Sequence, residues 1–143
     1  MKRFWKFAPW LSRLILLPPT VIFALIAARY LSQPAQAAAE VGISLGTPLA
    51  ITILRIGFGA FPLGCSIFTL SCLVSKRRIL TGLAFVSTML GVALIVRTYG
   101  MLLDGTVKES LGLIRSEAIL LTLCFIGITL ELSRRRQGKQ VVT

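Results

Sequence analysis

The sequence predicts an all-α integral membrane protein, a bundle of four transmembrane helices with both termini on the cytoplasmic side. Three observations carry that expectation. Apolar residues make up 55% of the 143-residue chain and charged residues only 15%, whereas a soluble domain of this length carries more charge and shorter apolar runs. Four apolar stretches each reach the roughly 20 helical residues needed to cross the hydrocarbon core of a bilayer. The basic residues gather at alternate ends of those stretches. Mean hydropathy is +0.84, and the length leaves room for one compact bundle and no second domain.

In chain order, positions 1–13 interleave Phe4, Trp5, Phe7 and Trp10 with Lys2, Arg3 and Lys6. Amphipathic aromatics and cations suit the headgroup layer, so this segment is expected to lie in the inner interface. The transmembrane domain is expected over 14–132, with spans at about 11–31, 49–74, 79–103 and 111–132, followed by a basic cytoplasmic tail at 133–143. Pro18-Pro19 is expected to kink span 1 or to mark its first rigid turn. The breaks at 32–48, 75–78 and 104–110 are short and polar, which leaves no irregular backbone facing lipid. The short turn at 75–78 makes spans 2 and 3 antiparallel neighbours. Tyr30 and Tyr99 are expected in the outer aromatic belt.

Orientation follows from loop charge. Lys2, Arg3, Lys6 and Arg13 precede span 1, Lys76, Arg77 and Arg78 join spans 2 and 3, and Arg134, Arg135, Arg136 and Lys139 follow span 4. The other two loops hold a single basic residue, Lys108, beside Glu40, Asp104 and Glu109. The positive-inside rule then places both termini in the cytoplasm. The net charge of +11 therefore reads as membrane topology and not as a nucleic-acid surface. The basic start, the apolar run and Ala35-Gln36-Ala37 also resemble a cleavable signal peptide, which would leave three spans and an outside N-terminus. The length of the run, ended only by Arg29-Tyr30, favours a span.

Ionisable residues inside spans are the candidate site. Arg55, Arg97 and Glu117 each lie six residues from the outer end of spans 2, 3 and 4, about 9 Å below the outer surface at 1.5 Å per residue. Intramembrane charges cost about 2.5 to 3.5 kcal/mol at a helix centre and less at this depth, so they turn inward and pair. Arg55, Arg97 and Glu117 are accordingly expected to meet between helices, with Asp104 offsetting part of the surplus positive charge. Snorkelling to the headgroups is the competing account of such arginines, and it is the preferred account of Arg29 and Arg115. Two arginines against one glutamate suit an anionic lipid headgroup, a carboxylate or a quinone-like carbonyl; a purely structural brace is the equal alternative.

Gly57, Gly59, Ala60 and Gly64 surround Pro62 in span 2 and are expected to admit a close helix crossing, Ala60 and Gly64 at small-xxx-small spacing. Ala24, Ala28 and Gly91 offer similar small faces. Cys65, Cys72 and Cys124 lie inside apolar runs and are expected to be packing groups, not a disulfide or metal site. No histidine is present, and neither a phosphate loop, paired carboxylates in one span, nor an activated nucleophile is evident, so no enzyme activity and no cofactor are expected.

The loop Gln33-Pro34-Ala35 leading to Gly42-Ile43-Ser44, then Leu54-Arg55-Ile56-Gly57-Phe58-Gly59, Arg97, Asp104-Gly105 and Glu117 give the chain a further likeness. It resembles, over nearly its whole length, a bacterial family of small four-span membrane proteins that share a domain of unknown function. In general layout it is similar to DoxX-like four-helix proteins. The resemblance implies that Arg55, Arg97 and Glu117 belong to the family pattern and implies no reaction. The expected role is an accessory subunit, or a lipid- or quinone-type ligand-binding protein, associating with membrane lipids, with a larger membrane complex or with itself. The alternative is a small proton-coupled transporter acting as an oligomer through Glu117.

Overall fold

The computed structural model describes residues 8–140, and their side chains except at positions 8, 9, 109 and 137–140. The chain is all-α. Helix α1 runs Ala8–Ser32, α2 Pro34–Glu40, α3 Pro48–Leu54, α4 Phe61–Val74, α5 Ile79–Asp104 and α6 Val107–Gln140. A π-helical segment, Arg55–Ala60, joins α3 to α4 without a break. Among the described residues, four stretches are long and apolar enough to cross a membrane: Trp10–Ser32, Pro48–Val74, Ile79–Asp104 and Ser110–Arg136. The protein is a multi-pass membrane protein by that measure.

Three departures from the sequence expectation have local causes. The region 32–48 holds a helix as well as a loop, because Pro34 suits a first helical position and the alanine-rich Pro34–Glu40 stretch has high helix propensity. Span 2 contains the π-helical turn because Pro62 has no N–H for the Phe58 carbonyl four residues back; widening to a longer hydrogen-bond step, seen in the Phe61 N–H to Ile56 carbonyl bond, accommodates it. Helix α6 runs through the basic stretch Arg134-Arg135-Arg136 to Gln140, where arginine is a good helix former and cations complement the C-terminal end of the dipole. Of the expected interfacial segment, positions 1–7 lie outside the described residues; from Ala8 the chain is already helical and continues through Pro18-Pro19 without interruption.

Helix ends are set by local chemistry. Thr47 caps α3, its hydroxyl accepting from the Ala50 N–H at 3.2 Å with Pro48 in the first turn. Gly105, at φ +69°, closes α5 in the left-handed conformation that glycine adopts without strain.

By packing, the chain divides into two units: Leu17–Ser71, and Met1–Leu16 with Cys72–Thr143. In the first, the end of α1 packs on the π-helical segment. Tyr30 stacks on Phe58 with ring centroids 5.2 Å apart, and Leu31 lies against Gly59, where an added Cβ would come within 2.7 Å of its Cδ2. Ser66 donates to the Thr20 carbonyl at 3.1 Å, an interhelical bond of the kind that joins spans in lipid.

The second unit is built on the α5–α6 antiparallel hairpin. Ile79, Gly82, Leu83, Val86 and Ser87 form one buried face of α5 at helical spacing. Gly82 allows the close approach: a Cβ there would lie 2.7 Å from Cys72 Cβ and 2.8 Å from Leu16 Cδ2. Gly127 of α6 seats against Leu83 and Ile15 in the same way, at 3.1 and 3.5 Å. The three cysteines are buried and unpaired.

Candidate functional site

Helices α5 and α6 keep one register along their length: residue 77 faces 135, 83 faces 127 and 97 faces 117. On α6, Glu117, Cys124 and Glu131 recur every seven residues and therefore share a face. The hairpin thus carries a carboxylate near each end, about 21 Å apart at 1.5 Å per residue. Two carboxylates in one span were not anticipated from the sequence. At that separation they cannot share a proton, and each is held by arginine.

At one end, Arg97 donates from Nε to Glu117 Oε2 at 3.0 Å and from Nη2 to Oε1 at 2.6 Å. This bidentate geometry is the stronger form of the arginine–carboxylate pair. The side chains remain 31% and 17% exposed, so desolvation is partial and the pair is an interhelical brace of about 1 to 2 kcal/mol.

At the other end, Glu131 is fully buried. Arg134 donates to it from Nε at 3.0 Å and from Nη2 at 2.5 Å, and Arg135 donates from Nε at 3.1 Å. Arg135 Nη2 also reaches the Arg77 carbonyl at 2.7 Å, and Arg13 Nη2 donates to the Val74 carbonyl at 3.3 Å. Arginines from α1 and α6 therefore cap the carbonyls at the end of α4 and in the turn before α5, which no helix bond satisfies. Glu131 escaped the sequence reading because it stood at the polar margin of span 4. The signal was there: Glu131 with Arg134 and Arg135 is an i, i+3, i+4 ion-pair pattern.

The two ends of the hairpin differ in charge. Around Glu117 the sequence sets Arg97, Lys108 and Arg115 against Asp104, Glu109 and Glu117; around Glu131 it sets Lys76, Arg77, Arg78, Arg134, Arg135 and Arg136 against Glu131 alone. The first end is neutral and the second strongly basic.

The remaining predicted residues are placed as follows. Arg55 opens the π-helical segment of the other unit and is exposed; its backbone N–H donates to the Ile51 and Thr52 carbonyls, and its side chain makes no hydrogen bond or ion pair among the described residues. Asp104 is exposed at the last position of α5. Gly59 is buried; Gly57, Ala60 and Gly64 are exposed, and nothing lies within 4 Å of a Cβ added at Gly57, Gly64 or Gly91. The close approaches at Gly82 and Gly127 were not singled out from sequence. Arg29 pairs with Glu40, so its counter-ion comes from within the chain. Arg115 is exposed.

Comparison with protein-family models, with curated proteins and with solved structures finds no match to this chain.

Proposed function

We propose that this protein is an accessory subunit of the bacterial cytoplasmic membrane, both termini inside, that associates laterally with a larger membrane complex or with a second copy of itself. The observation that carries the reading is how little of the spanning surface is used internally. Only 11% of the most apolar window of Ser110–Arg136 is buried within the chain, and 28% of each of the others. Leu113, Ile119, Phe125 and Ile126 of α6 all face outward. A bracing role for the charges of the α5–α6 hairpin is supported by Arg97, which donates to both oxygens of Glu117. The basic end at the turn between α4 and α5 supports the inside placement of that turn.

A lipid- or quinone-type ligand is the second reading. A groove of about 440 Å³ on α5, lined by Leu94, Ile95, Thr98, Tyr99 and Leu102, flanks Arg97 in sequence and suits an acyl or isoprenoid chain.

Photo-crosslinking from a reactive residue at Phe125 in intact membranes tests the accessory reading. A discrete protein adduct is expected; adducts to lipid alone would overturn it.

A further inference from the structure

The basic end of the hairpin contains a cavity of about 430 Å³ lined by Lys76, Arg77, Arg134 and Arg135. That volume is within the roughly 300–1,000 Å³ of small-molecule sites. We propose that this cavity binds the phosphate group of an anionic phospholipid. The proposal does not depend on the accessory reading.

Charge is the first support. Four cationic side chains line the cavity, and Glu131 is the one carboxylate bonded to any of them among the described residues. The surplus of about three positive charges calls for an anion. Preorganisation is the second. Glu131 fixes both guanidinium groups, and the Arg77 carbonyl fixes Arg135 a second time. Arginine carries five N–H donors in a rigid fork. Arg134 spends two on Glu131, and Arg135 spends one on Glu131 and one on the Arg77 carbonyl, leaving three donors on each. A phosphate group matches that fork bidentately, and little side-chain entropy remains to be lost on binding. Position is the third. The cavity lies where the apolar windows of the spanning helices end, the level of lipid headgroups, and basic pockets between transmembrane helices take anionic headgroups.

Phosphate chemistry is shared by a lipid headgroup and free phosphate, so the experiment separates them. The full chain is placed in phosphatidylcholine nanodiscs containing phosphatidylglycerol, and retained lipid is read by native mass spectrometry. Wild type is expected to retain phosphatidylglycerol selectively, and Lys76→Gln with Arg77→Gln to lower its apparent affinity about thirtyfold, each cationic side chain near the surface contributing about tenfold or less. Arg78→Gln with Arg136→Gln removes the same charge from the same end without touching the cavity lining, and is expected to change affinity less than about threefold. Equal losses in the two double variants would mean diffuse surface attraction and would overturn the site. Equal retention of phosphatidylcholine and phosphatidylglycerol by wild type would do the same. Millimolar inorganic phosphate is expected to leave the lipid bound; displacement by it would assign the cavity to soluble phosphate instead. Circular dichroism confirms that both double variants are folded.

Discussion

Neutralising Glu131 is the sharpest perturbation of the α5–α6 hairpin. Glu131→Gln keeps the volume and one acceptor oxygen but removes the charge and turns an amide N–H towards a guanidinium. Three charge-assisted hydrogen bonds are affected, two from Arg134 and one from Arg135. Removing one partner of a buried ion pair costs about 3 to 5 kcal/mol. Here the arginines are 30% and 41% exposed, so they recover part of their solvation from headgroups and water, and a loss of about 2 to 3 kcal/mol is expected. Reversible unfolding by detergent titration in mixed micelles, followed by circular dichroism, reads the change. The double variant with Arg134→Gln is expected to show a coupling of about 1 to 2 kcal/mol. A Glu131→Gln variant within about 0.5 kcal/mol of wild type, the range of an ordinary surface change, would refute the reasoning.

Three further expectations follow from the same geometry. Glu117→Gln is expected to destabilise the hairpin by about 1 to 2 kcal/mol, and exchanging the pair as Arg97→Glu with Glu117→Arg to restore at least half of that loss; in liposomes Glu117→Gln is expected to leave proton flux unchanged, and a flux abolished by it would favour the transporter alternative. Gly82→Ala is expected to cost about 1 to 3 kcal/mol by forcing Cys72 and Leu16 apart, whereas Gly91→Ala, into open space, is expected to be neutral or stabilising by up to about 1 kcal/mol; equal effects in the same unfolding titration would contradict the packing. Reporter fusions at the two termini are expected to report the cytoplasm for both; one periplasmic terminus would mean an odd number of spans, and two would reverse the topology.

The spans were legible because crossing a bilayer imposes length and apolarity that few other structures need: 79–103 was expected and Ile79–Asp104 observed. Depth was legible too. Counting residues from the helix ends puts Arg97 and Glu117 at one level, and the structure joins them by two hydrogen bonds. Arg55 shares that count and opens the π-helical turn of the other unit. The Pro62 effect on that turn depends on how the backbone relieves a missing donor, and composition alone does not say so. Glycine roles were the least legible. Gly57, Gly64 and Gly82 look alike in sequence, yet only Gly82 of these faces a neighbour, because the facing residue, Cys72, comes from another helix. Glu131 was readable in principle from its spacing to Arg134 and Arg135, but its burial depends on the turn at 76–78 folding back beside α6.

The accessory reading rests on spanning helices that bury little of their surface within the chain. Native mass spectrometry of the wild-type protein, extracted from its membrane into lipid nanodiscs without prior detergent exchange, tests it most directly. A complex of fixed stoichiometry with a second protein or a second copy is the expected result; a stable monomer carrying no protein partner would contradict it.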